Sequence, residues 1–201
     1  MTDPGSITKQ IVISSARAFL LEHYSSRELP IPIEDIVEIK LGLKLILLPN
    51  LVRDFSVNAF INTKFDSIVV DEYIYTKQPE RTRFTIAEEL GHMVLHKDWY
   101  NVNGPKSYDK YFDWQETLDQ KLFEYIERQA KTFAGLVLVP SDLLLQDFTD
   151  LCGDNSPIDL FQLPDNTMPS LSQKYKVSGD CMLLRLQQEK LVMVPDGFKK
   201  R

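Results

Sequence analysis

The sequence of 201 residues contains little cysteine and no long apolar segment. Its two cysteines, Cys152 and Cys181, are too few and too far apart for a disulfide framework or a cysteine-based zinc site, which favours a reducing compartment. No run reaches the roughly 18 apolar residues of a membrane span, and the first residues lack the order of a signal peptide. The sequence therefore predicts a soluble protein of the cytoplasm that has no membrane partner.

Basic residues are also in deficit. The chain has 23 Lys and Arg against 29 Asp and Glu, which gives a net charge of -6. Because nucleic-acid binding draws most of its affinity from Lys and Arg that neutralise phosphates, we do not expect direct binding to DNA or RNA. The composition is that of a globular protein. We predict a single domain over residues 1–201, with a small helical tail from about residue 166.

Apolar spacing and turn residues predict an α+β fold with helices packed on a small antiparallel sheet. Ser6 and Ser141 are candidate helix caps. Helices are expected at 7–23, 32–42, around 88–96, and at 115–137, 142–148, 170–176 and 178–188. Strands are expected at 43–48, 59–62 and 67–70, the last two forming a hairpin, and at 191–194. The segment 98–113 is rich in aromatic residues and is expected to be a loop that anchors to the core or lines a cleft.

The stretch 84–96 holds two of the three histidines in the chain. On a helix, Glu88, Glu89, His92 and His96 fall within one polar arc of roughly 100°, while the opposite side is apolar. One face would therefore join the core and the other would offer ligands. Gly91 costs about 1 kcal/mol relative to Ala inside a helix, which suggests that another element packs closely there.

The spacing of these residues is that of a zinc-peptidase helix in which one motif residue differs. In the H-E-x-x-H motif two imidazoles lie one turn apart, and the glutamate between them acts as the general base. Here Glu88 stands at the first ligand position, Glu89 at the base position and His92 at the second ligand position. Taken alone, E-E-x-x-H is also typical of a solvated surface helix.

The sequence around this motif resembles that of the ImmA/IrrE family of metallopeptidases. Residues 84–96 read F-T-I-A-E-E-L-G-H-M-V-L-H, and 127–134 read E-R-Q-A-K-T-F-A, with L-V-P at 138–140. The common family pattern is R-F-T-x-A-H-E-x-G-H-x-x-L-H, then E-x-x-A-x-x-F-A and L-x-P. The resemblance extends to 29–42, the hairpin and the tail, and so covers most of the chain.

The resemblance implies a zinc-dependent endopeptidase fold. Carried over by position, the metal ligands are Glu88, His92 and Glu127, and the general base is Glu89. Arg83 matches the arginine that precedes the motif, and we assign it no role beyond a possible ion pair. Bacterial and phage members of the family cleave a partner repressor of the helix-turn-helix class. We therefore predict metal-dependent cleavage of a partner protein, specifically a transcriptional repressor.

The glutamate at position 88 departs from the family pattern. Two carboxylates and one neutral imidazole cancel the charge of Zn²⁺, whereas two imidazoles and one carboxylate leave a net charge of +1. A less electropositive site activates water less, and oxygen ligands shift preference toward harder cations. Zn²⁺ follows from the resemblance, and Mn²⁺ or no metal at all are the alternatives. The rival function is a pseudo-peptidase that binds or regulates a protein without turnover.

Two further features have alternative interpretations. His96 lies one turn after His92, which itself lies one turn after Glu88. Because each step of four residues advances about 40° around the helix, these three side chains converge poorly on one ion. The family also has a histidine there that is not a ligand, and we favour a structural hydrogen bond. The segment 171–178 faintly resembles the start of a helix-turn-helix, but the acidic charge favours a structural helix pair over DNA binding.

Overall fold

The computed structural model describes residues 3–105, 110, 114 and 117–194. It has the predicted α+β architecture, with helices around a three-stranded sheet. The helices are α1 Lys9–His23, α2 Ile33–Asp35, α3 Leu51–Phe55, α4 Glu72–Lys77, α5 Pro79–Asn103, α6 Gln120–Leu138, α7 Ser141–Cys152, α8 Thr167–Tyr175 and α9 Gly179–Gln188. The strands are β1 Lys44–Leu48, β2 Ala59–Ile61, β3 Ser67–Asp71, β4 Ile158–Asp159 and β5 Val192–Met193. None of these helices combines the length and the apolar character needed to cross a bilayer.

The sheet is mixed, whereas we expected it to be antiparallel. Strands β2 and β3 form the predicted antiparallel hairpin, but β1 pairs with β3 in parallel, and the strand order is β1-β3-β2. After β1 the chain passes through α3 and enters the sheet again at the opposite edge as β2. The hairpin then places β3 between β2 and β1, where it runs antiparallel to β2 and parallel to β1. All five residues of β3 are buried. Strand β2 is an edge strand and contacts α5.

Two predicted caps are wrong. Thr8, not Ser6, caps α1, because its hydroxyl accepts the backbone N–H of Ile11 at 3.4 Å. The hydroxyl of Ser6 donates instead to the carbonyl of Asp3 at 2.6 Å. Ser141 begins α7 but does not cap it, since its hydroxyl donates to Glu189 Oε1 at 2.7 Å. The sequence shows the capping residue types but not these tertiary alternatives.

Helix α5 is longer than predicted and ends at Asn103, so residues 98–103 are helical rather than a loop. Trp99 continues the inward face of the helix and is buried, which explains the extension. Most of the remaining segment, up to 113, lies outside the described residues. The spacing of apolar residues in α6 predicts a buried stripe of Leu122, Ile126, Ala130, Phe133 and Val137, and all of these are buried except Leu122, which is half-buried. It begins at Gln120 after the cap Asp119, later than predicted.

Helices α5 and α6 pack against each other closely at Gly91. A Cβ atom on this glycine would lie 2.9 Å from both Cα and the carbonyl oxygen of Ala130. Real Cβ atoms do not approach backbone so closely, so only glycine permits this crossing. The close approach that the sequence suggested is therefore confirmed, and it brings Glu88 and His92 of α5 beside Glu127 of α6.

The tail helices α8 and α9 join the same hydrophobic core as α1, α5 and α6 through Leu171, Tyr175, Met182 and Leu186. Arg83 links three parts of the chain. Its guanidinium donates to the carbonyl of Ile31 at 2.8 Å and to that of Lys176 at 3.1 Å. The start of the motif helix is therefore held to both the N-terminal segment and the tail.

Candidate metal centre

Three of the predicted site residues converge between α5 and α6. Ligand atoms of Glu88, His92 and Glu127 all lie within 4.8 Å of one another. Nε2 of His92 is 3.4 Å from Oε1 of Glu127. The one-turn spacing on α5 places Glu88 and His92 on one face, and the Gly91 crossing brings Glu127 to them from the neighbouring helix. The site is thus formed by two rigid elements rather than by loops.

The two ligand-type carboxylates differ in their pKa. Burial and the neighbouring charge of Glu127 raise the pKa of Glu88 above its ordinary value. Burial also disfavours ionisation of Glu127, but the hydrogen bond and charge of His92, together with Lys131, outweigh it and lower the pKa of Glu127 to about 2. Glu127 is therefore the anionic centre of the group at neutral pH.

His92 is almost fully buried and surrounded by carboxylates. Burial opposes its positive charge, but the hydrogen bond to Glu127 and the charges of Glu89, Glu127 and Glu88 are stronger and raise the pKa of His92. Its other ring nitrogen, Nδ1, is buried and has no hydrogen-bond partner among the described residues. Nε2 of His92, which faces Glu127, is therefore the ring nitrogen that is available to a metal ion in this group.

Glu89, the predicted general base, lies on the side of the helix nearest the sheet. Its Oε2 accepts the backbone N–H of Ile61 on the edge strand β2 at 2.7 Å. Burial raises the pKa of Glu89 to about 8, although the charge of His92 opposes this shift. A carboxyl group whose pKa lies near neutrality can both accept and release a proton under physiological conditions. The roles of Glu88, Glu89, His92 and Glu127 remain predictions.

Lys131 is a member of the site that we did not predict. Its ammonium lies 3.0 Å from Oε2 of Glu127 and 3.5 Å from Oε1 of Glu88. From the sequence, the i,i+4 spacing of Glu127 and Lys131 is that of an ordinary pair on a helix surface. Only the crossing of the two helices brings Glu88 into reach, and no sequence signal marks that contact.

His96 is held in a separate network. Its Nε2 lies 2.9 Å from Oε1 of Gln129, while the amide nitrogen of Gln129 donates to the carbonyls of Pro4 and Ile7 at 2.9 Å. Because the Gln129 nitrogen is used as a donor, its oxygen must accept, so His96 carries its proton on Nε2. Burial lowers the pKa of His96 to about 4, so the ring is neutral. This geometry agrees with the structural role we favoured, and His96 is not part of the converging group.

Aromatic side chains pack beside His92 near the end of α5. Tyr100 packs edge-on to His92, with ring centroids 6.1 Å apart, and also contacts Phe65 and Trp99. Burial and the charges of Glu127 and Glu89 raise the pKa of Tyr100. A cavity of about 20 Å³ beside these residues is lined by His92, Tyr100 and the β2–β3 hairpin. Trp99 and Tyr100 therefore anchor the end of α5 to the core.

Residues 58–187 match the IrrE N-terminal-like domain family, Peptidase_M78. This match spans well over half of the chain and includes the motif helix, α6 and the tail. The chain belongs to this family of metallopeptidases. Its fold class and its resemblance to the ImmA/IrrE group are thereby confirmed. No curated protein sequence matches the chain.

Among solved structures, the chain is similar to a Mycobacterium tuberculosis transcriptional regulator, with a TM-score of 0.56 and 15% identical residues. The similarity covers 90% of this chain but only 47% of that one. The chain therefore spans about half the length of the regulator. At this level of identity the comparison concerns the fold, which is shared by a regulator and by the peptidase family.

The donor set of this family member fits a divalent cation. A metal ion about 2.1 Å from each of three tetrahedrally placed donors requires them to be about 3.5 Å apart. His92 and Glu127 are already at 3.4 Å, and the rest of the group lies within 4.8 Å. Side-chain rotations that bring the more distant donor atoms up to about 1.3 Å closer would complete the arrangement. Glu88, His92 and Glu127 are therefore the residues that could hold the ion, with Glu89 adjacent.

Proposed function

We propose that this protein is a metal-dependent endopeptidase that cleaves a partner protein, and that the partner is a transcriptional repressor of the helix-turn-helix class. The observation that carries this proposal is the convergence of Glu88, His92 and Glu127 beside the buried carboxyl group of Glu89. Membership of a peptidase family supports the reaction class. The similarity to a transcriptional regulator supports only the fold.

Each residue has a distinct role in this proposal. Glu88, His92 and Glu127 would hold the metal ion, which when bound would supply Lewis-acid polarisation of the scissile carbonyl and the attacking water. Glu89 accepts the proton of that water and later delivers it to the leaving amine. Its hydrogen bond from the N–H of Ile61 fixes the orientation of one carboxylate oxygen, so the other oxygen is left to exchange protons.

The identity of the ion is part of the proposal. Two carboxylates and one imidazole neutralise a divalent charge and offer two oxygen donors against one nitrogen. This set holds Zn²⁺ and is also suitable for Mn²⁺, which prefers oxygen. We propose Zn²⁺ as the resident ion and Mn²⁺ as its substitute.

A second function is supported by one specific observation, the ammonium of Lys131 between Glu127 and Glu88. A cation already balances these two carboxylates, and the position of the first motif histidine is occupied by glutamate. A chain built in this way could keep the cleft and bind its protein partner without cleaving it. This alternative is a pseudo-peptidase that acts as a regulatory binding module.

Metal analysis and a base-deficient variant separate the two functions. Protein purified without added metal would be analysed for zinc and manganese by mass spectrometry, and then incubated with a small repressor of the helix-turn-helix class. The peptidase proposal expects about one ion per chain and cleavage that Glu89→Gln abolishes while it retains the ion. Bound repressor that stays intact at full metal occupancy would support the pseudo-peptidase. If no divalent ion binds, the metalloenzyme proposal is wrong.

A further inference from the structure

Lys131 joins the two acidic members of the candidate ligand set across a helix interface. Its ammonium donates to Oε2 of Glu127 at 3.0 Å and lies 3.5 Å from Oε1 of Glu88, which is on the other helix. The Glu88 side chain is only 13% exposed and that of Glu127 24% exposed, whereas Lys131 is 51% exposed. One half-exposed cation therefore lies between two largely buried carboxyl groups.

These carboxylates need a positive charge between them. Two like charges held close together in a partly desolvated site repel each other, and a nearby cation relieves this repulsion. A divalent ion on Glu88, His92 and Glu127 would supply that charge, but it would also repel the ammonium, which contacts Oε1 of Glu88 and Oε2 of Glu127, the oxygen next to the Oε1 that faces His92. The lysine and the metal ion therefore cannot occupy the carboxylates together without a large electrostatic cost.

We propose that Lys131 is an internal counter-cation that competes with the metal ion for Glu88 and Glu127. In the metal-free protein the ammonium offsets part of the negative charge of the two carboxyl groups. When metal is supplied, the flexible lysine stem moves its ammonium into solvent, which its half-exposed position allows. Metal occupancy would then follow the ambient metal concentration. This inference rests on the ligand set of the proposed function and adds a mode of regulation to it.

The test compares metal affinity among four forms of the full chain. Lys131→Gln removes the charge, and Lys131→Arg keeps it. Lys174→Gln is the matched control, because Lys174 is 52% exposed and pairs with Asp147 at 2.7 Å away from the candidate site. Each protein is stripped with a chelator, and its Zn²⁺ and Mn²⁺ dissociation constants are measured by competition with a chromophoric chelator.

We expect Lys131→Gln to bind Zn²⁺ about tenfold more tightly than the unmodified chain, since a competing charge has been removed. Lys131→Arg and Lys174→Gln should remain within about threefold of it. In thermal melting, metal-free Lys131→Gln should unfold at a lower temperature and gain more from added zinc than the unmodified chain does. Equal or weaker zinc binding by Lys131→Gln would overturn the inference.

The outcomes also distinguish this inference from the proposed function. Metal binding by the unmodified chain at the same affinity as Lys131→Gln would leave the proposed function standing and reject the competition. Binding by Lys131→Gln alone would support the competition and indicate that the unmodified chain is the pseudo-peptidase. Absence of binding in all four proteins would reject both.

Discussion

The carboxyl group of Glu89 accepts the backbone N–H of Ile61 at 2.7 Å, which ties the motif helix to the edge strand of the sheet. The carboxyl group is buried, and burial raises the pKa of Glu89 to about 8, although the charge of His92 and the hydrogen bond from Ile61 oppose this shift. The unfolded chain would ionise near the ordinary value of about 4.5. Between about pH 4.5 and 8, the folded protein therefore retains a proton that the unfolded chain has already released.

The sign of the resulting pH dependence follows directly. A group whose pKa is raised by folding contributes stability that is complete below its unfolded value and is lost as the pH rises through its folded value. Metal-free protein should therefore lose stability between about pH 4.5 and 8 relative to Glu89→Gln, which has no proton to release. Urea unfolding midpoints at several pH values in chelator would measure this. Parallel pH curves for the two proteins would contradict it.

Glu88→His should restore the more electropositive ligand set. Replacing one carboxylate by a neutral imidazole leaves a net charge of +1 on bound Zn²⁺ and shifts preference away from oxygen-seeking ions. We expect the ratio of Zn²⁺ to Mn²⁺ affinity to rise at least about tenfold, measured by chelator competition. Glu88→Gln keeps an oxygen donor without the charge and serves as the control. An unchanged ratio in Glu88→His would argue against position 88 as a ligand.

His96→Gln should reduce stability without reducing metal affinity. The ring donates from Nε2 to Gln129, which in turn holds the carbonyls of Pro4 and Ile7, and the change disturbs a buried hydrogen-bond network. We expect a loss of about 1–3 kcal/mol in the free energy of unfolding. The zinc dissociation constant should stay within about threefold. A loss of zinc binding larger than tenfold in folded protein would instead make His96 a ligand.

Gly91→Ala should separate the two helices that form the site. The new Cβ would meet Ala130 backbone at 2.9 Å, where no flexible side chain can give way. Overpacking of this kind costs about 1–3 kcal/mol, and the displacement of α6 should also weaken zinc binding. Calorimetric melting and zinc titration would measure both effects. Gly179→Ala is the control, because an added Cβ there meets nothing within 4 Å.

Local sequence patterns predicted the elements better than their arrangement. The apolar stripe of α6 and the hairpin β2–β3 follow from spacing, because each depends on residues near in sequence. The parallel pairing of β1 with β3 depends on a crossover whose direction spacing does not encode. For the same reason, the placement of Glu127 beside His92 came from the family resemblance, and the contact between Lys131 and Glu88 was not predicted.

The contact between Gly91 and Ala130 also fixes the relative register of α5 and α6. If α6 moved by one residue in a screw motion about its own axis, Glu127 would shift by about 1.5 Å and turn by about 100°, away from His92. Such a slip would also place a different side chain against the glycine. The site can therefore adopt few intermediate geometries. Side chains at positions 88 and 131 can therefore be exchanged on a fixed backbone template, which makes this chain suitable for comparing candidate sites that differ in a single side chain.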